Sequence, residues 1–176
     1  DAGWRARASM PAGSARGSAV TADLDGQTGF RLEGQYSYDY AGFSVAGGGD
    51  VDGDGFDDVI VGAPGYNGGT GRVYVVFGRK SGFDPFILLK DVVGTDASIL
   101  ATHEGFAIDG VGGNVNFYGD GAGWSVANAG DVNGDGFDDI LIGAPFAYTR
   151  YDGTLMTEVY SGQAYLVFGG RNIRVG

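Results

Sequence analysis

Residues 41–64 read "AGFSVAGGGDVDGDGFDDVIVGAP" and residues 122–145 read "AGWSVANAGDVNGDGFDDILIGAP". Aligned without a gap, they share seventeen of twenty-four positions at an offset of 81 residues. Each copy has an aromatic-Ser-Val-Ala run, a loop of alternating acids and glycines, and a β-branched run ending in Gly-Ala-Pro. A recurrence of this kind marks one supersecondary unit used twice. Short apolar runs bounded by Gly and Pro read as buried strands, so each copy predicts strand, loop, strand.

The loop Asp50–Asp58, "DVDGDGFDD", packs five carboxylates into nine residues. Left alone, those charges repel one another; a bound cation removes the conflict. Side-chain oxygens at loop positions one, three, five and nine belong to Asp50, Asp52, Asp54 and Asp58, and the Phe56 carbonyl supplies position seven. The second loop presents Asp131, Asn133, Asp135, Asp139 and the Phe137 carbonyl, with Asn133 as a neutral oxygen donor where the first loop has Asp52. Hard oxygen ligands in a glycine-rich loop suit calcium, which takes ~6–8 oxygens at ~2.3–2.6 Å. Magnesium demands a stricter octahedron, and zinc prefers His or Cys. This chain has one His and no Cys. The expectation is two calcium ions per chain.

Helical calcium architectures do not fit. An EF-hand needs a bidentate Glu at loop position twelve and flanking helices. Here that position holds Val61 or Ile142, inside "DVIVGAP" and "DILIGAP". A dockerin repeat fails for the same reason.

The wider repeat resembles the FG-GAP family, the repeats of integrin α-chain β-propellers and of many bacterial secreted proteins. Its eponymous residues stand here as Gly62-Ala63-Pro64 with Phe77-Gly78, and as Gly143-Ala144-Pro145 with Phe168-Gly169. The likeness runs from about Leu24 to Gly170; one departure is Phe43-Ser44 and Trp124-Ser125, where the family often has Phe-Gly. The resemblance implies an all-β fold of two four-stranded antiparallel propeller blades, with calcium in the turn between the first two strands of each. It also implies a secreted, extracellular or cell-surface setting.

Composition agrees with many tight turns between short strands. The chain has 36 glycines in 176 residues without a three-residue period, and 43% hydrophobic residues, which argues against collagen and against disorder. Its length suffices for one ordinary core. Zero cysteines exclude a disulfide framework and leave the compartment open. No apolar run approaches the ~20 residues of a membrane span, and no signal peptide is visible. A first residue of Asp1 points to a processed or trimmed end. The net charge of −11 argues against nucleic acid. Nine of the 22 acids sit in the two loops, and two calcium ions bring the balance to −7.

Residues 1–23 read as an N-terminal arm, 24–90 as an outer strand plus the first blade, and 91–176 as the second blade. Strands are expected at "GFRLEG" (29–34), "GFSVAG" (42–47), "DVIVGAP" (58–64), "GRVYVVFG" (71–78) and Phe86–Leu89. In the second unit they fall at "GFAIDG" (105–110), "GWSVAN" (123–128), "DILIGAP" (139–145) and "AYLVFG" (164–169). The second unit carries an insertion, "FAYTRYDGTLMTEVYSG" (146–162), with Phe146, Tyr148, Arg150, Tyr151 and Tyr160. Tyr and Arg in an exposed loop favour recognition of an extracellular protein or glycan; a hairpin packed on its own blade reads equally well. The resemblance puts this loop on the face opposite the calcium loops.

No catalytic constellation emerges. The one His, His103, stands in the polar "ATHEG", where a surface role is usual. Asp57-Asp58 and Asp138-Asp139 are adjacent carboxylates, but neighbouring strand residues point to opposite faces. The expectation is a binding module, not an enzyme. In propellers of this family the outer strand of one blade leads into the inner strand of the next. "GFRLEG" then reads as an outer strand without its own blade, and the second blade ends with a vacant edge. Two blades cannot close a ring that needs ~4–8. The chain therefore reads as a structural or adhesive module assembling head to tail with itself, into a ring or filament. The alternatives are a fragment of a longer propeller and the non-catalytic propeller of a secreted hydrolase.

Overall fold

The computed structural model describes residues 24–92, 105–112, 119–149, 159–171 and 173. The arm 1–23, His103, Arg150 and Tyr151 lie outside the described residues. The fold is nearly all-β, with multi-stranded antiparallel sheets of the kind expected for propeller blades. In chain order the strands are β1 Arg31–Glu33, β2 Ser44–Gly49, β3 Asp58–Ala63, β4 Arg72–Val76, β5 Phe86–Leu88 and β6 Gly105–Asp109. They continue as β7 Ser125–Gly130, β8 Asp139–Ala144, β9 Tyr148–Thr149, β10 Val159–Tyr160 and β11 Gln163–Val167.

The first sheet runs β2-β3-β4-β6, all antiparallel. "GFAIDG", which opens the second unit by sequence repeat, is thus the fourth strand of the first sheet. Arg72, the first residue of β4, pairs with Asp109 of β6 and lies 3.9 Å over the Tyr66 ring. The second sheet runs β7-β8-β11, three strands among the described residues. Both sheets break register just before the acidic loop, between Gly47 and Gly49 and between Asn128 and Gly130. A bulge bends and re-aims a strand, and here it turns the chain into the loop.

Period-two alternation decides what each face of the first sheet covers. Ile60, Val73 and Val75 point toward the second sheet and meet Ile140, Ile142 and Ala144, with Phe77 and Phe106 closing one side. Val61, Ala63, Tyr74 and Val76 point the other way, under Ile87, Leu89 and Val92. Phe30 and Leu32 complete that second cluster, with Phe30 stacked on Phe83 at 4.5 Å. Fully burying one such aliphatic side chain stabilises by about 1.5–3 kcal/mol, so the two clusters set both the pairing of the sheets and the seat of β1.

The strand expected at "GFRLEG" therefore has an in-chain position. Its residues Arg31, Leu32 and Glu33 pair in parallel with Phe86, Ile87 and Leu88. Within the insertion expected at 146–162, the described ends pair antiparallel, Tyr148 opposite Tyr160 and Thr149 opposite Val159.

Candidate metal centre

The two acidic loops leave the same end of their sheets and take nearly the same backbone shape. Gly53 and Gly55 have φ of 77° and 92°; Gly134 and Gly136 have 78° and 91°. Those left-handed values suit glycine, and they curl each loop so that its alternate side chains turn inward. One carboxylate oxygen each from Asp50, Asp52 and Asp54 comes within 4.8 Å of the others.

Backbone N–H groups lock this arrangement. Asp50 accepts from Asp54 N at 2.9 Å and from Gly55 N at 3.0 Å; Asp52 accepts from Asp54 N at 3.1 Å; Asp54 accepts from Phe56 N at 2.9 Å. The second loop repeats the pattern. Asp131 accepts from Gly134, Asp135 and Gly136 N, Asn133 Oδ1 from Asp135 N, and Asp135 from Phe137 N. The Asn133 amide nitrogen donates to Asp135 at 2.8 Å. The donor set is all oxygen apart from that amide nitrogen, and pre-shaped by the backbone, which fits a hard cation.

Asp58 and Asp139 stand apart from the trio. Each is buried and spends both oxygens on backbone N–H groups: Asp58 on Val51 at 3.0 Å and Gly78 at 2.8 Å, Asp139 on Val132 and Gly169 at 2.9 Å. These bonds tie the loop to the strand pair behind it, including the Phe-Gly of each repeat. Burial pushes the Asp58 carboxyl up to about 7, and the charges of Asp52 and Asp54 add to that rise. The two backbone bonds oppose it.

One residue escaped the sequence reading. Asp138 Oδ2 accepts the N–H of Asp50 at 2.9 Å, and Asp138 N donates to Asp50 O at 3.2 Å, so the second loop clamps the first ligand of the first loop. The doubled acid at the end of each loop was the available signal. Asp120 is a second such case. It is buried, and it accepts from Ala122 N, Val111 N and the Tyr165 hydroxyl, holding the entry to β7.

At the opposite end of the inner strands, three exposed rings form a row. Phe43 and Trp124 lie 4.8 Å apart, and Trp124 meets Phe146 edge-on at 5.0 Å. Phe146 is the one member of the expected partner loop whose side chain the structure describes; Tyr148 and Tyr160 are placed by their backbone pairing.

The comparisons agree with this geometry. The FG-GAP repeat description matches residues 41–76 and 122–167, each spanning an acidic loop and the strands on either side of it. Integrin alpha-PS2 of Drosophila melanogaster is 33% identical over 117 residues, and Integrin alpha pat-2 of Caenorhabditis elegans is 38% identical over 117 residues. Both alignments cover 66% of this chain and 7% of the relative. The phosphatidylinositol-glycan-specific phospholipase D of Rattus norvegicus is 31% identical over 130 residues, covering 72% of this chain and 13% of that enzyme. The chain thus spans a small part of the length of these relatives. No helix among the described residues is long and apolar enough to cross a membrane. With two matched repeats, the strand–loop–strand units that carry them, and integrin alpha chains among its relatives, the chain belongs to the FG-GAP repeat family.

Proposed function

We propose that this chain is a calcium-binding, non-catalytic pair of propeller blades serving as a structural or adhesive module outside the cell. The observation that carries the reading is the convergence of Asp50, Asp52 and Asp54 within 4.8 Å in a loop already locked by its own N–H groups. Each ion takes Asp50, Asp52, Asp54, Asp58 and the Phe56 carbonyl, or Asp131, Asn133, Asp135, Asp139 and the Phe137 carbonyl. For Asp58 and Asp139 this means that an oxygen already holding a backbone N–H uses its remaining lone pair. The cation supplies charge neutralisation; the chain's own residues supply the curl, the clamp onto the strands and the link between loops. Head-to-tail self-assembly through the outer edge of β11, beside which no strand lies among the described residues, belongs to the same proposal.

A second reading, recognition of an extracellular protein or glycan, draws on the exposed row Phe43, Trp124 and Phe146. Aromatic anchors at a surface favour binding. Membership of a longer propeller, or of a hydrolase such as the phospholipase relative, is compatible with both readings. Calorimetric titration with calcium tests the main proposal: two ions per chain are expected, and a flat titration with both loops intact rejects it.

A further inference from the structure

The ligand residues of the second acidic loop reach those of the first through two short routes. In the first, Asp138 stands between the Phe137 carbonyl and the Asp139 carboxylate, both assigned to the ion of its own loop. Its Oδ2 accepts from Asp50 N at 2.9 Å, and its own N–H donates to Asp50 O at 3.2 Å. Asp50 opens the first loop as its first ligand, so one residue of the second loop holds both backbone polar groups of that ligand.

The second route runs through the residues that follow β11. Asp139 Oδ1 accepts from Gly169 N at 2.9 Å, and the next residue, Gly170, donates to Val51 O at 2.8 Å. Val51 N in turn donates to Asp58 Oδ2 at 3.0 Å. The last carboxylate of one loop is thereby tied to the last carboxylate of the other, with Val51 fully buried at the joint. Packing fixes the same registry. A side-chain carbon at Gly53 would collide with the Phe137 ring, and one at Gly49 with the Asp138 carboxylate. Close-packed contacts of this kind transmit a displacement rather than absorb it.

We infer that calcium binding at the two loops is positively cooperative, with Asp138 and the Gly169-Gly170 pair as the positioning residues that carry the coupling. The inference rests on the calcium reading above and adds how each site regulates the other. Filling the second loop fixes Phe137 and Asp139, and with them Asp138 and Gly169. Asp50 and Val51 are then held in place before the first loop takes its own ion. The ordering cost that the first loop would meet alone is partly met in advance. Coupling of equilibrium affinities is reciprocal, so filling the first loop aids the second by the same factor. One effect opposes this: each ion cancels carboxylate charge that would attract the other. That long-range attraction is screened over ~8 Å at ~0.15 M salt, whereas the bonded routes are not.

Calorimetric calcium titration of the whole chain at ~0.15 M salt tests this. Asp54→Ala disables the first loop and Asp135→Ala the second, both at exposed positions. Each variant gives the affinity of the surviving site on its own. The product of the two association constants of the wild-type chain is expected to exceed the product of those single-site values by ~5- to 10-fold. Asp138→Ala, introduced into all three backgrounds, is expected to bring that ratio below ~2. Asp138→Asn, whose amide oxygen still accepts from Asp50 N, is expected to keep most of it. A wild-type ratio within ~twofold of one overturns the inference. So does a ratio that survives Asp138→Ala, or one that Asp138→Asn abolishes equally. The wild-type comparison needs no substitution at Asp138, so it decides even if Asp138→Ala is too unstable to titrate. A wild-type chain that binds no calcium rejects the reading beneath the inference; two ions bound independently reject the coupling alone.

Discussion

Asp138 makes the most discriminating substitution, because its homologue Asp57 lies free at the surface. Asp138→Ala removes a bond from Asp50 N to an ionised acceptor at 2.9 Å in a part-buried site. Hydrogen bonds to charged groups contribute roughly 1.5–3 kcal/mol. Partial exposure puts this one near the lower end, about 1.5 kcal/mol, and leaves the Asp50 N–H to find water. For a chain of this size ~1 kcal/mol shifts the midpoint by ~2–4 °C, so the expected loss is about 3–6 °C. Asp57→Ala removes an exposed carboxylate with no such bond and stays within ~0.5 kcal/mol. Thermal unfolding of both variants by circular dichroism, in calcium and in dilute solution, makes the comparison. Calcium affinity of the first loop is expected to fall in Asp138→Ala while the second loop keeps its own. Equal midpoints for the two variants would refute the clamp.

Four further outcomes follow from the same contacts. Chelation lowers the melting midpoint, because the crowded carboxylates then repel without compensation; an unchanged midpoint on adding chelator contradicts this. The first loop binds calcium more tightly than the second, since Asp52 carries a charge that Asn133 lacks, and Asn133→Asp narrows the gap in calorimetry. Ile60→Ala costs about 2–5 kcal/mol in urea unfolding, whereas Leu141→Ala at the homologous open position costs under ~1 kcal/mol in the monomer. Tyr165→Phe removes the 2.8 Å bond to buried Asp120 and destabilises by roughly 1–2 kcal/mol, read from the same unfolding curves.

The strands flanking each acidic loop were legible because their side chains obey a two-residue period and end in Gly and Pro. Asp58–Ala63 and Arg72–Val76 lie where that pattern placed them, and Ser44–Gly49 starts two residues later than the expected 42–47. Pairing was harder to read. Nothing local in "GFAIDG" says that it adds to β4 rather than opening the next sheet. Nor does "GFRLEG" announce a parallel partner more than fifty residues away. Such pairings are decided by which apolar faces need covering, here Tyr74 and Val76 by Leu32 and Ile87. The loops show a similar limit. Spacing tells which carboxylates share a turn, so Asp50, Asp52 and Asp54 were found as a group. It does not tell which oxygen a neighbouring N–H will claim. That is why the backbone bonds of Asp58 and Asp139, and the reach of Asp138 across to Asp50, became visible only in three dimensions.

A crystal structure of the chain grown in calcium decides whether both loops are calcium sites. Two ions are expected, one within ~2.3–2.6 Å of oxygens from Asp50, Asp52, Asp54, Asp58 and Phe56, the other equally close to those of Asp131, Asn133, Asp135, Asp139 and Phe137. Loops that hold no ion under those conditions, or carboxylates turned out to solvent, would contradict it.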